Sequence, residues 1–131
     1  MAKYSQSSKD KLRTCDERLQ LVFTEVIKSF DNTIVCGERN EADQNAAYNE
    51  GRSKVMYPDG KHNQKPSKAI DAAPYPINWV DRDRLHYFAG FVLGTASRMG
   101  VRLRWGGDWD MDTQTQDNTF DDLVHFELIE D

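Results

Sequence analysis

The stretch AIDAA, residues 69–73, decides how this chain folds. Its side chains are small and apolar except for the carboxylate of Asp71, and Pro74 and Pro76 mark its end. Such a stretch predicts a buried β-strand. Because an unpaired buried carboxylate is costly, Asp71 needs a cation, a metal ion or a dense shell of hydrogen bonds.

Helices and short strands alternate on both sides of this stretch. The apolar spacing predicts helices over residues 9–30, 41–50 and 81–99. Short strands are predicted over residues 33–36, 101–105 and 124–129. Asn40 is expected to cap the second helix and Gly51 to end it. We therefore expect an α+β fold in which a small antiparallel sheet packs against about three helices.

The composition fits one globular domain, residues 1–131, and a monomer. The chain of 131 residues is 38% hydrophobic, which is enough for one core. Seventeen basic and 22 acidic side chains give a formal net charge of −5, which disfavours nucleic acid as a partner. No stretch approaches the roughly 20 apolar residues that cross a bilayer, so stable membrane anchoring is not expected. The polar residues 1–11 lack the apolar run of a secretory signal, and we expect synthesis in the cytoplasm.

Two of the three histidines accompany Asp71 as candidate metal ligands. His62 precedes Asp71 by nine residues, and His125 lies in the last predicted strand. Two imidazoles and one carboxylate, with a fourth position open to water, form the ligand set of a catalytic zinc site. This spacing alone is not a tight signature. The alternative is that Asp71 pairs with an arginine such as Arg39 and that His125 is a structural histidine.

Two further carboxylates could serve such a site. Hydrolysis at a metal needs a base that is not a ligand, and Asp122, three residues before His125, is the candidate. Strand alternation places Glu127 on the same face as His125, where it could hydrogen-bond the imidazole of a ligand.

An acidic loop follows the third predicted strand. Its carboxylates form a candidate calcium site of regulatory function: Asp108, Asp110, Asp112 and Asp117. The loop lacks the helix–loop–helix context and the closing glutamate of an EF-hand. A solvated acidic loop is the alternative.

The run GKHNQKPSKAIDAAPYP, residues 60–76, resembles the signature of the zinc peptidoglycan LD-peptidases, which are grouped with D-Ala-D-Ala carboxypeptidases. More narrowly, the chain is similar to phage endolysins of the L-alanyl-D-glutamate peptidase type. The resemblance covers nearly the whole chain, with further matches at CGER (36–39), Gln44, YNEGRS (48–53), WGGDW (105–109) and DLVHFE (122–127).

This resemblance implies a Hedgehog/D-Ala-D-Ala peptidase-like fold and a single catalytic domain. It implies zinc ligation by His62, Asp71 and His125, with Asp122 as general base. Arg39 would act beside them, on the oxyanion or on a substrate carboxylate. The implied reaction is cleavage of the L-Ala–D-Glu bond of peptidoglycan during phage-induced host lysis. The enzyme would reach the wall after the membrane has been permeabilised.

The chain departs from the usual family motif, Ser-x-His-x-x-Gly-x-Ala-x-Asp, at three points. Gly60 replaces the serine, two additional residues separate His62 from Asp71, and Pro66-Ser67 replaces the motif glycine. Two alternative functions stay open. One is D-Ala-D-Ala carboxypeptidase or dipeptidase action, and the other is a non-catalytic wall-binding module on the same fold. Asp122 argues against the module, because a module without activity needs no base.

Overall fold

A computed structural model describes residues 2–116 and 120–130 of the chain. Within these residues the chain forms four α-helices, four β-strands and one 3-10 turn, Lys61–Asn63. The helices are α1 (Gln6–Leu12), α2 (Glu17–Val26), α3 (Glu41–Asn49) and α4 (Arg82–Arg98). The strands are β1 (Asn32–Cys36), β2 (Ala69–Pro74), β3 (Leu103–Gly106) and β4 (Asp122–Leu128).

The strands form one antiparallel sheet in the order β1-β2-β4-β3. Strand β2, the predicted buried strand, lies inside the sheet and is buried along its whole length. In its register with β4, Ile70 pairs with Phe126 and Asp71 pairs with His125. The α+β prediction with an antiparallel sheet is confirmed.

Helices α2 and α4 cover one face of the sheet. Phe126 of β4 makes edge-to-face ring contacts with Phe23 of α2 and Phe88 of α4, at centroid distances of 5.9 and 6.3 Å. All three rings are buried. Because side chains alternate along a strand, Asp71 and His125 point to the opposite face of the sheet. The core therefore occupies one face and leaves the other for a polar site.

The prediction of one continuous helix over residues 9–30 is wrong. The helix is interrupted between α1 and α2. Asp16 caps α2 by accepting a hydrogen bond from the Arg18 backbone N–H at 2.9 Å. Ser67, just before β2, forms hydrogen bonds with the backbone between the two helices. Its N–H donates to the Thr14 carbonyl, and its carbonyl accepts from the Asp16 N–H. Four helices result instead of about three.

The ends of the last two strands also differ from the prediction. β4 begins at Asp122, two residues earlier than expected, and β3 continues to Gly106. Gly106 pairs with Asp122, and a Cβ at Gly106 would collide with the Asp122 backbone carbonyl. A glycine is therefore required where the chain enters β4. In the described part of the chain, no helix has the length and apolarity to cross a membrane.

Candidate metal centre

Three donor atoms from separate parts of the chain form a compact triangle. His62 Nε2 and His125 Nδ1 each lie 3.2 Å from Asp71 Oδ1, and the two nitrogens lie 3.3 Å apart. All three side chains are buried. Tetrahedral zinc with ligands at 2.0–2.1 Å requires donor separations of about 3.3 Å. This donor set therefore fits zinc in chemistry and in spacing, and the three residues could hold a metal ion.

The sheet and one turn create this triangle. The antiparallel register of β2 and β4 places Asp71 directly beside His125. His62 comes from the 3-10 turn, which is held by a 2.7 Å hydrogen bond from the Arg39 backbone N–H to the His62 carbonyl. The turn is also tied to the start of β2 by a bond from Lys68 N–H to the Lys61 carbonyl. The longer spacing between His62 and Asp71 thus does not prevent their contact.

Hydrogen bonds orient both imidazoles toward the centre of the triangle. His62 Nδ1 lies 2.7 Å from the Gly37 carbonyl, and His125 Nε2 lies 2.9 Å from Glu127 Oε1. Since each acceptor requires an N–H, the remaining ring nitrogens face the centre, and in the neutral rings they present their lone pairs there. Glu127 therefore lies where the sequence placed it, against a candidate ligand.

Glu127 is itself held as a carboxylate. Arg104 Nη2 donates to Glu127 Oε2 at 2.8 Å, and Lys61 Nζ lies 3.4 Å from the same oxygen. Burial alone would raise the pKa of Glu127, but the contacts with His125 and Arg104 lower it to about 2. An anionic acceptor strengthens the electron donation of His125 toward a metal.

Without a metal, the triangle binds protons. Burial opposes a charge on His62, but the Asp71 carboxylate outweighs it and raises the pKa of His62 to about 10. Burial likewise opposes ionisation of Asp71, but the two histidines hold its pKa below the usual range. A metal ion entering this site therefore displaces protons.

Arg39 pairs with Asp71 but leaves the metal-facing oxygen free. Arg39 Nη2 lies 3.3 Å from Asp71 Oδ2, whereas both histidines contact Oδ1. The ion pair that the sequence offered as an alternative to a metal site is thus present together with the triangle of donors.

Gln44 joins the elements around the site, although sequence reasoning did not include it among the site residues. Its buried amide oxygen accepts from Arg39 Nη1 at 3.0 Å and from Asn63 Nδ2 at 3.3 Å. Its nitrogen donates to Ser53 Oγ and to the Val55 carbonyl, at 3.0 and 2.6 Å. The match of Gln44 to the family resemblance was the signal in the sequence, and it does not reveal these partners.

Asp122 faces the same cavity without joining the donor triangle. This cavity of about 500 Å³ is lined by Arg39, His62, Asp122 and His125 among others. Burial, together with the negative charge of Asp71, raises the pKa of Asp122 to about 6. A half-buried carboxylate of raised pKa beside a candidate metal site has the properties of a group that exchanges protons.

Trp109 forms a wall of this cavity and was also not among the predicted site residues. Its ring centroid lies 5.4 Å from that of His125, and its indole N–H donates to the Phe120 carbonyl at 2.9 Å. The Arg104 guanidinium lies over the indole at 5.4 Å. Trp109 therefore packs beside His125, and its own position is fixed by Phe120 and Arg104.

The acidic loop brings three of its four predicted carboxylates together. Asp108, Asp110 and Asp112 offer oxygens within 4.8 Å of one another, and Asp117 lies outside the described residues. Asp108 accepts hydrogen bonds from the backbone N–H groups of Asp112 and Thr113, at 3.2 and 3.0 Å. The Asp108 carboxylate therefore holds the backbone of the loop in its conformation through these two hydrogen bonds.

Comparisons with known proteins found a matching family model and solved structures of similar fold. A family model described as phage L-alanyl-D-glutamate peptidase matches residues 1–129. Among solved structures, the fold is similar to that of the Serratia marcescens L-Ala D-Glu endopeptidase ChiX. The two chains are 21% identical with a TM-score of 0.73, over 97% of this chain and 90% of that one. No curated protein matches the chain. The match over nearly its whole length shows that the chain belongs to the phage L-alanyl-D-glutamate peptidase family.

Proposed function

We propose that the chain is a zinc-dependent endopeptidase that hydrolyses the L-Ala–D-Glu bond in peptidoglycan stem peptides. Family membership supports the substrate and the bond. The observation that carries the zinc chemistry is the triangle of His62, Asp71 and His125, whose donor separations of 3.2–3.3 Å suit one tetrahedral ion.

The residues present match zinc better than a hard cation, because two of the three donors are imidazole nitrogens. Zinc bound there would polarise the scissile carbonyl and would lower the pKa of a water molecule toward neutral pH. Calcium binding by the acidic loop is not needed for this chemistry and stays a prediction. Activity measured with and without calcium at a fixed zinc concentration tests it.

Asp122 is the proton-transfer group in this proposal. It lines the same cavity as the two ligand histidines and does not belong to the donor triangle. Its carboxylate accepts the proton of the attacking water and then donates it to the leaving amine of D-glutamate. A pKa raised by burial and by the negative charge of Asp71 favours the first step, because it makes the carboxylate a stronger base.

Arg39 supplies positive charge at the edge of the site. One side of its guanidinium is fixed by Gln44 and the other by Asp71 Oδ2. This fixed cation stabilises the negative charge that develops on the carbonyl oxygen during attack. It also orients Asp71, so that Oδ1 faces the two histidines.

In the infected host, we propose that the enzyme acts as a monomer of one catalytic domain, residues 1–131. It is made in the host cytoplasm and reaches the wall after the inner membrane has been permeabilised, which causes lysis. Peptidoglycan is its partner, and nucleic acid is not.

The test is digestion of purified sacculi, followed by mass spectrometry of the released peptides. The expected product carries a new amino group on D-glutamate. Release of D-alanine would instead identify a carboxypeptidase, and binding without any product would identify a wall-binding module. Elemental analysis of the purified protein gives the metal.

A further inference from the structure

A second cavity adjoins the candidate metal centre. It has a volume of about 580 Å³ and shares four lining residues with the first cavity, Arg39, Arg52, Phe120 and Asp122. Asp71 also lines it, and the Oδ2 atom of this carboxylate pairs with Arg39, another lining residue. The two cavities therefore meet around Arg39 and Asp122, beside the donor triangle.

The two cavities differ in charge. The first is lined by four cationic side chains, Arg39, Arg52, Lys54 and Lys61, against the two carboxylates Asp110 and Asp122. The second is lined by three arginines and three aspartates. Two of these ion pairs are formed in the structure, Arg82 with Asp121 at 2.6 Å and Arg39 with Asp71 at 3.3 Å. In the first cavity, Arg39 and Lys61 also pair with carboxylates, Asp71 and Glu127, and Arg52 pairs with Glu50 at the exposed surface. The positive charge that the first cavity offers to an anion therefore lies at Arg52 and Lys54, whereas the lining of the second cavity has equal numbers of arginines and aspartates.

The second cavity also offers a large aromatic surface. Trp79 lines it and is 57% exposed, in the segment that joins β2 to α4. Val35, Leu85 and Leu123 are among the apolar side chains that also line it. An exposed indole beside paired charges and apolar side chains suits a neutral ligand with one apolar face and several hydroxyl or amide groups.

The substrate has the same asymmetry on the two sides of the scissile bond. On one side, L-alanine is joined through its amine to the lactyl group of a muramyl sugar, which is a neutral pyranose with an acetamide. On the other side, D-glutamate and the residues after it carry free carboxylates. One alanine residue spans at most about 3.6 Å, and only the lactyl group separates it from the ring, so the sugar must lie close to the metal centre.

Resting on the proposed function, we propose that the second cavity binds the muramyl sugar, with Trp79 as its stacking surface. The substrate then has one direction across the site. Its sugar lies against Trp79, its scissile carbonyl lies at the triangle of donors, and its carboxylates lie in the cationic cavity near Arg52 and Lys54. Trp79 is in this arrangement a specificity-determining residue for sugar-linked peptide.

The test compares kcat/KM for two soluble substrates, a muropeptide that keeps the sugar and the same stem peptide without it. The wild-type enzyme is expected to prefer the muropeptide. Trp79→Ala is expected to reduce this preference by roughly three- to tenfold, and Trp79→Phe, which keeps an aromatic ring, is expected to restore most of it. Binding of N-acetylmuramyl-L-alanine, measured by calorimetry, should weaken in parallel.

Tyr87→Ala provides the matched control. Tyr87 is an aromatic residue that is 74% exposed on α4, where it contacts Phe30, and it lines neither cavity. Its removal should leave the preference unchanged. A Trp79→Ala variant with the wild-type preference and unchanged sugar binding would overturn the inference. If the wild-type enzyme cleaves neither substrate, the proposed function fails and the sugar site fails with it.

Discussion

Asp71 and His125 are direct cross-strand partners in β2 and β4, and their metal-facing atoms, Oδ1 and Nδ1, lie 3.2 Å apart. Two of the three candidate ligands are therefore positioned by sheet register alone. A slip of one residue in either strand would turn the candidate ligand of that strand toward the helices, so the register that builds the core also builds the site.

Replacing Glu127 should weaken metal binding without removing a ligand. In Glu127→Gln, His125 keeps a hydrogen-bond acceptor but loses the anionic one, so zinc affinity should fall by roughly 10- to 100-fold. Competition with a chromophoric chelator measures this affinity. Glu130→Gln is the control, because Glu130 pairs with Arg18 and Lys68 away from the triangle. Equal affinities for Glu127→Gln and the wild type would show that the contact has no influence on the metal.

Replacing His125 removes one of the three candidate ligands. The purified His125→Ala variant should therefore no longer contain one zinc ion per chain.

Replacing Asp122 should remove proton transfer and leave the metal in place. Asp122→Asn keeps the size of the side chain but cannot accept the proton, so kcat should fall by about 10²- to 10⁴-fold at unchanged zinc content. Turbidity clearing of permeabilised cells and elemental analysis measure the two quantities. Asp83→Asn, on the exposed surface of α4, should behave as wild type. Full clearing activity in Asp122→Asn would contradict the assigned role.

Gln44 should matter for stability through its buried amide. Gln44→Ala leaves Arg39 and Asn63 without their shared acceptor, so the free energy of unfolding should fall by about 2–3 kcal/mol. Urea denaturation measures this change. Asn49→Ala, an exposed substitution in the same helix, should change stability by less than about 0.5 kcal/mol. Similar values for the two variants would mean that the network around Gln44 contributes little.

The stability of the fold should depend on pH through Asp16. Hydrogen bonds from Arg18 and Lys68 outweigh burial and lower the pKa of Asp16 well below its usual value of 3.8. A depressed pKa in the folded state means that the contribution is complete above pH 3.8 and is lost as the pH falls further. Asp16→Asn should therefore cost about 1–3 kcal/mol at pH 7 and less at pH 3, in urea denaturation at both values. Asp10→Asn, at an exposed ion pair, should show almost no difference from wild type at either pH.

Two glycines should respond to alanine in opposite ways. Gly106→Ala forces the chain away from the Asp122 carbonyl, so both stability and kcat should fall. Gly90→Ala adds a methyl group to an exposed position of α4 with open space around it, so stability should rise by about 0.5–1 kcal/mol. Thermal unfolding and turbidity clearing measure both effects. An active, stable Gly106→Ala variant would show that this close approach does not position Asp122.

Most of the sheet and two of the helices could be predicted from local patterns. The apolar run of β2, the alternation in β4 and the Asn40 cap of α3 each depend on neighbouring residues, and the structure contains all three. The break at residues 13–16 could not be predicted, because Leu12, Cys15 and Leu19 continue the helical spacing across it. Its cause is a pair of backbone hydrogen bonds with Ser67, more than fifty residues away in the chain.

The sequence by itself determined the chemistry that this protein has available. It contains two imidazoles and a strand-borne carboxylate as donors, a second carboxylate before the last histidine, and a family signature from residue 60 to residue 76. Only the tertiary structure decided which atoms meet. Asp71 directs one oxygen to Arg39 and the other to both histidines, and Gln44 holds Arg39 in place. Trp79 borders the same site from a different loop. These relationships depend on contacts between residues distant in the chain, which folding creates and no local pattern encodes.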